Sequence, residues 1–448
     1  MGIIISLVNH MAVLMVIAYI LTRTRFYSKI VNQEFTLRHR ILLLAIFGTF
    51  SIYGTLSGIR IRDAICNIRD LGPALGGLIA GPVVGLGAGL IGSLHRYLMG
   101  GSTALPCSIA TLSIGFAGGL IYIIKKGKLI GIPGAVTFGI CVEIFHMGLV
   151  LLIGRPFPVM LDIVKKITLP MISANAIGLG VFIFITSNLI KERETIAVKE
   201  RIQSELNIGH EIQMSLIPKI FPPFPNRKDF EIFALIEPAR EVGGDFYDFY
   251  FLDEEHLCFL IGDVSGKGVP ASLYMAVAKT LIKMTASQSL DPGEILTKVN
   301  NELSKDNDST MFVTLFCGVL NTVTGKLLYA NGGHNQPLLI QKDGGVTFLK
   351  RTGDLVVGIL EDLHYKSERL ALASGDVLFV YTDGVTEAMN GKAELYSNER
   401  LKKDMETIHS YKSTRDIIKA IMKRVKAFSA GVPQADDIAM MGIKFFGV

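Results

Sequence analysis

Before residue 191 the chain is a succession of apolar runs, at about 3–21, 41–58, 71–93, 107–124, 129–153 and 168–190, and this pattern limits the fold more than any other feature. About 20 apolar residues is the length of one helical bilayer crossing. Backbone polar groups in lipid must be satisfied within the segment, so five or six such runs read as an all-α polytopic membrane domain. Charge divides the chain at the same place. Residues 1–190 carry 15 Lys and Arg against 5 Asp and Glu, and residues 191–448 carry 30 against 35, so the net +5 is +10 minus 5. A basic balance of this origin excludes a nucleic-acid reading and fits a membrane domain joined to a mildly acidic soluble one. The first run starts at residue 3 with no basic segment before it, which disfavours a cleavable signal peptide. Cys66, Cys107, Cys141, Cys258 and Cys317 are scattered without a CxxC pair, so neither a disulfide framework nor a zinc site is expected from them.

The third run carries Gly77, Gly81, Gly85 and Gly89 at four-residue spacing, a stripe that lets a neighbouring helix approach closely. Pro73 and Pro82 interrupt the same run, so two short or broken helices compete with one clean span. Orientation stays open. The basic loop 22–40, with Arg23, Arg25, Lys29, Arg38 and Arg40, belongs in the cytoplasm by the positive-inside rule, yet five crossings follow it where an even number is needed. Arg60, Arg62, Asp63, Arg69, Asp70, His95 and Arg96 lie beside or between the runs. Charges there either face a cavity or pair at a helix end in the headgroup layer. The stretch Asn67–Gly119, through Asn67, Arg69, Asp70, Gly72, Pro73, His95, Arg96, Thr103, Ala104 and Cys107, resembles the five-transmembrane receptor domain of LytS-type sensor kinases over residues 30–190. That resemblance implies a receptor rather than a transporter. A small anionic ligand held by Arg69 and Arg96 is the expected input, the guanidinium fork suiting a carboxylate or phosphate.

Residues 191–217 are dense in Lys, Glu, Arg and Gln, with Ile196, Ile202, Leu206, Ile212 and Leu216 at helical spacing. A short parallel coiled coil, and so a homodimer through this linker, is expected. Pro218, Pro222, Pro223 and Pro225 end it and open a domain at 218–448. His210-Glu211-Ile212 resembles the phosphoacceptor box of a histidine kinase, but Asn300-Asn301 is a poor ATP box and the acidic motifs downstream have no place in a kinase.

From Phe230 the pattern changes to short apolar runs, EIFALI, HLCFLIG, MFVTLFCGVL, KLLYA, PLLIQ, VTFL and DVLFVYTD, with turns at Asn321–Gly325 and Lys342–Gly345. Helical stretches are expected near 270–285, 291–305 and 413–428, giving an α/β domain built as an antiparallel β-sandwich flanked by helices. Aspartates punctuate the strand ends: Asp245 in GGDFYD, Asp263 after FLIG, Asp383 after VLFVYT, and Asp436-Asp437 before IAMMGIKFF. One Asp-Gly alone is ordinary turn chemistry. Carboxylates converging in one cleft repel, so convergence demands cations, and oxygen-only ligands select hard ions, Mg2+ or Mn2+. Two such ions about 3.5–4 Å apart can acidify a water and present it in line with a phosphoryl group.

The set EVGGDFYD, DVSGKGVPASLYMA, FVTLFCGVL, NGGHNQPLL, SGDVLFVYTDGVTEA and ADDIAMM resembles, from Ile212 to Phe446, the SpoIIE/RsbU-type branch of the metal-dependent PPM (PP2C-like) protein-serine/threonine phosphatases. Carried over by position, the resemblance implies that Asp263 bridges both metals, Asp383 and Asp436 hold one, Asp245 supports the other, and the Val264 carbonyl completes a shell. It also implies catalytic roles for Asp263 and Asp383, and a phosphorylated anti-sigma-factor antagonist or similar STAS-domain protein as substrate. The chain departs from the pattern at Ser265, where the eukaryotic branch has a His thought to protonate the leaving group, leaving the general acid unassigned between Lys267 and a coordinated water. Ala439 and Ser397 are further departures, away from the metal ligands. None of the five cysteines is followed by Arg at the spacing of a Cys-dependent phosphatase, and SGKG lacks both the first Gly and the Ser/Thr of a P-loop. The sequence thus predicts a bacterial membrane receptor, residues 1–190, with a cytoplasmic phosphatase as output. A histidine-kinase-like sensor and a catalytically inactive scaffold are the competing readings.

Overall fold

A computed structural model describes residues 36–62, 64–352, 355–408 and 413–447, with a few isolated positions before them. Most of the first apolar run, most of the basic loop and Asp63 lie outside the described residues. Two compact units result, Met1–Lys199 and Glu200–Val448.

In the first unit, α1 (Leu37–Leu56) leads through a small hairpin, β1 (Ile59–Ile61) and β2 (Ala64–Cys66), to α2 (Leu71–Ala80) and α3 (Pro82–Leu98). Then come α4 (Ala104–Ile124), α5 (Ile132–Ile153) and α6 (Phe157–Leu216). Among the described residues, α1, α4, α5 and α6 are long and apolar enough to cross a membrane. The Gly/Pro run is two helices, because Gly81 at φ +85° breaks it and Pro82 starts α3. The glycine stripe is correspondingly divided. A Cβ on Gly77 or Gly85 would lie 2.6 or 2.2 Å from the Gly115 carbonyl oxygen, so both helices meet α4 at backbone contact, while Gly81 makes the turn. The charged linker is continuous with the last apolar run in α6.

The second unit holds two five-stranded antiparallel sheets. One has the order β10 (Glu368–Ala371), β7 (Lys326–Gly332), β6 (Val313–Asn321), β5 (His256–Val264), β4 (Phe246–Phe251); the other has β3 (Phe230–Glu237), β12 (Ile438–Phe445), β11 (Val377–Tyr381), β8 (Leu338–Ile340), β9 (Val346–Phe348). Helices α7 (Val269–Ala286) and α8 (Pro292–Ser304) cover the first sheet. Beyond the single turn α9 (Asp383–Thr386), α10 (Asn398–Ile408) and α11 (Thr414–Phe428) cover the second. The strands β11 and β12 are apolar apart from Lys444 near the end of β12, because both faces are buried: Leu378, Val380, Ala439 and Met441 enter the core between the sheets, and Val377, Phe379, Ile438 and Met440 the core under α10 and α11. The runs and helices expected from the sequence are present, with β4, β10 and α10 in addition.

Candidate metal centre

Strand direction assembles the site. In an antiparallel pair the end of one strand lies beside the start of the next. Asp245 immediately precedes β4 and Asp263 lies near the end of β5, whose ladder pairs Phe246 with Gly262. In the second sheet Asp383 follows β11 and Asp436-Asp437 precede β12, where Tyr381 pairs with Met440. Each sheet therefore delivers two carboxylate positions at one edge, and hydrogen bonds join the edges. Thr382 Oγ1 donates to Asp245 Oδ2 at 2.6 Å. The Gly244 amide donates to Asp437 Oδ2 at 2.7 Å and the Ala239 amide to Asp437 Oδ1 at 2.8 Å. Close approach explains the glycines: a Cβ on Gly243 would lie 2.0 Å from Asp437 Oδ2, and one on Gly384 would lie 1.8 Å from the Asp437 carbonyl oxygen.

The electrostatics show a cluster short of positive charge. Asp245 is 2% exposed; burial and then the Asp263 carboxylate push it well above the usual carboxylate range. Asp263 is pushed up to about 7 by burial and by Asp383, and Asp383 up to about 6 by burial and by Glu387. Asp383 Oδ1 is buried without a hydrogen-bond partner. Lys267 Nζ lies 2.8 Å from Asp436 Oδ2 and donates to the Ala435 carbonyl at 2.7 Å. An oxygen-only set, mutually repelling and holding an orphaned carboxylate oxygen, fits hard divalent ions.

Asp245, Asp263, Val264, Asp383 and Asp436 are thus brought to one edge of the sandwich. Thr382 and Asp437, not singled out from the sequence as site residues, hold the two halves together. Their signal is faint, since an acceptor of backbone amides far away in sequence leaves no local pattern. Ser265 is tied to the Phe312 backbone, its Oγ accepting at 3.0 Å. His334 shapes the turn after β7, with Asn331 bonded to its backbone and its own Nδ1 2.8 Å from Thr314 Oγ1. Burial lowers its pKa to about 4. His210 is engaged through Nδ1 with the Glu241 carbonyl at 2.6 Å.

In the membrane unit Arg69 and Arg96 are buried, 0% and 1% exposed. Arg69 Nε donates to Thr111 Oγ1 at 2.7 Å and lies 3.6 Å from Asp70 Oδ1, while both its terminal nitrogens lack partners. Arg96 donates to the Gly100 carbonyl and Thr103 Oγ1, leaving Nε unpartnered. Arg60 and Arg62 are exposed instead, and Arg62 pairs with Asp162.

Residues 253–446 match the family model for stage II sporulation protein E (SpoIIE), and residues 24–189 match that for the 5TMR of 5TMR-LYT. The chain is 30% identical over 235 residues to the phosphoserine phosphatase RsbU of Bacillus subtilis, covering 52% of this chain and 68% of that protein. It is 37% identical over 191 residues to the sensor histidine kinase BtsS of Escherichia coli, covering 41% of this chain and 34% of BtsS. The chain spans less than half the length of several curated relatives, BtsS among them. Among solved structures, the SiaA-PP2C domain of Pseudomonas aeruginosa shares the fold at a TM-score of 0.50 and 20% identity, over 56% of this chain and 99% of that one. A membrane domain of receptor type is therefore fused to a domain with the phosphatase fold.

Proposed function

The chain belongs to the SpoIIE/RsbU-type family of PP2C-like serine/threonine phosphatases, and from that premise we propose that it is a membrane receptor whose C-terminal domain, on the cytoplasmic side, hydrolyses phosphoserine or phosphothreonine on a regulatory protein. The observation that carries the reading is the set of carboxylates at paired strand ends, with raised proton affinity and a buried, unpartnered Asp383 Oδ1. Two Mn2+ or Mg2+ ions would supply, when bound, Lewis acidity that acidifies water and neutralises phosphoryl charge. Asp263 would bridge them, Asp383 and Asp436 would hold one, and the Val264 carbonyl with Asp245 would serve the other. Thr382 and Asp437 keep Asp245 and the Gly243-Gly244 turn in place. Lys267, 2.8 Å from Asp436 Oδ2, or a coordinated water would carry a proton to the leaving alkoxide, the role left open by Ser265.

A STAS-type anti-sigma-factor antagonist is the substrate class that the likeness to RsbU supports. The receptor half would take a small carboxylate or phosphate on the unpartnered nitrogens of Arg69 and Arg96. Dimerisation would run along α6, where Ile196, Val198, Ile202, Ile208, Ile212 and Leu216 are all more than 40% exposed. The deciding assay is release of phosphate from a phosphoserine STAS protein by the purified chain. Turnover that needs Mn2+ or Mg2+ and vanishes in Asp263→Asn supports the reading; turnover undiminished in EDTA refutes it.

A further inference from the structure

The buried interior of the membrane unit holds a second group of ionisable side chains that phosphatase chemistry leaves unused. Asp70, the N-cap residue of α2, meets Glu143 and His146, which lie one turn apart on α5. Their exposures are 2%, 0% and 1%. His146 Nδ1 is 2.9 Å from Asp70 Oδ2 and 3.6 Å from Glu143 Oε2, and one ligand atom from each residue lies within 4.8 Å of the others. Yet none of these inward atoms makes an aligned hydrogen bond: Asp70 Oδ2 and His146 Nδ1 have only their ion pairs within this group, and both oxygens of Glu143 are buried with no hydrogen-bond donor. A second carboxylate, Glu143, left so in an apolar interior is costly.

The outward atoms, by contrast, are held. Thr111 Oγ1 donates to Asp70 Oδ1 at 2.6 Å, Arg69 Nε lies beside that same oxygen, and His146 Nε2 lies 3.2 Å from Cys107 Sγ. Arg69 therefore attends the other oxygen of Asp70 and leaves the inward atoms to one another. Partners on the outer atoms of Asp70 and His146, which fix two of the three inward-facing ligands, are what a metal site requires of its surroundings. Bonds of about 2.1 Å from ion to ligand set neighbouring ligand atoms about 3.0–3.5 Å apart, close to the two separations from His146 Nδ1.

We propose that Asp70, Glu143 and His146 bind one divalent transition-metal ion, of the Zn2+ class by ligand type. An imidazole nitrogen among the ligands disfavours Mg2+ and Ca2+, which prefer oxygen alone. The two carboxylates balance the charge of the ion, and three protein ligands leave a coordination position open.

The test uses the full chain in detergent, loaded with Zn2+, dialysed, and measured by plasma mass spectrometry. Wild type should retain about one Zn2+ per chain more than Glu143→Gln and His146→Asn, and Zn2+ should raise its melting midpoint but not theirs. Cys141→Ser, an exposed position on the same helix, should match wild type. The aspartates of the soluble domain contribute equally to every variant and cancel in the difference. Equal zinc in wild type and in monodisperse variants overturns the proposal. If the variants aggregate, zinc K-edge absorption of wild type decides: imidazole scattering supports the site, and an oxygen-only shell overturns it.

Discussion

Replacing Asp437 with asparagine tests whether the two sheets are clamped through one carboxylate. Asp437 offers an oxygen to each of two amides, Ala239 at 2.8 Å and Gly244 at 2.7 Å. Asparagine has one acceptor oxygen, so either rotamer turns its NH2 toward a backbone N–H. One charge-assisted hydrogen bond is lost, about 1.5–3 kcal/mol. The site has little room to relax, because the Gly243 backbone already lies against Oδ2. A compensating effect operates only without ions. The charge of Asp437 is among those that raise Asp263, after burial, Asp383 and Asp436, and removing it relieves that repulsion. The loss should thus approach its full value in saturating Mn2+ and be smaller in EDTA. Urea unfolding of residues 191–448 followed by far-UV circular dichroism reads it, with a midpoint shift on the order of 0.5–1.5 M. An asparagine variant as stable as wild type in Mn2+, or a loss of equal size in both conditions, refutes the clamp.

Asp263→Asn and Asp383→Asn should each abolish Mn2+-dependent phosphate release while leaving the EDTA-treated domain at least as resistant to urea as wild type, since each removes a repelling charge; a destabilised variant would assign these residues to the fold instead. Without ions, Asp263 near 7 and Asp383 near 6 bind protons more tightly folded than unfolded, so their contribution to stability is present below about pH 4 and is lost as pH rises through 6 and 7. A melting midpoint in EDTA that climbs between pH 5 and 8 would contradict this; saturating Mn2+ should flatten the trend. Inserting one residue near Glu200 rotates the rest of α6 by about 100° and should alter the response to signal while leaving the basal melting midpoint unchanged. Indifference to insertions of one to four residues would make the helix a passive tether.

Much of this was legible where burial imposes a period. The apolar runs of the first half and most strands of the second stand out because both faces of β5, β11 and β12 are covered. β4 is equally buried, but its FYDFYF follows Asp245 inside a motif and reads as site rather than strand. β10 is a short edge strand whose alternation spans only ERLA. In α10 only Leu401, Met405 and Ile408 turn inward, a spacing of four and three that its charged neighbours obscure. The candidate aspartates could be read because each sits at one end of an apolar run. Thr382 and Asp437 could not, because their partners lie far away in sequence. Arg69, Arg96, Arg60 and Arg62 look alike in sequence, yet the first two are buried and the others exposed, a difference that only helix packing decides. Glu143 and His146 carry a sequence signal of their own, two ionisable residues one turn apart in an apolar run.

The register of β11 against β12 bears on how such a domain can diversify. Asp383 and Asp436 owe their places to ladder pairing, and the chain between them leaves the site and returns to it. Within that excursion, residues 389–395 add no side chain to either buried core and are tied mainly to one another, by the bridge between Met389 and Leu395 and by Asn390 bonded to Glu394. Lengthening such a segment costs chiefly loop-closure entropy, which grows only slowly with length. A lineage can therefore rewrite this stretch beside the ligands, insertion by insertion, while two strand ends keep the carboxylates where they are.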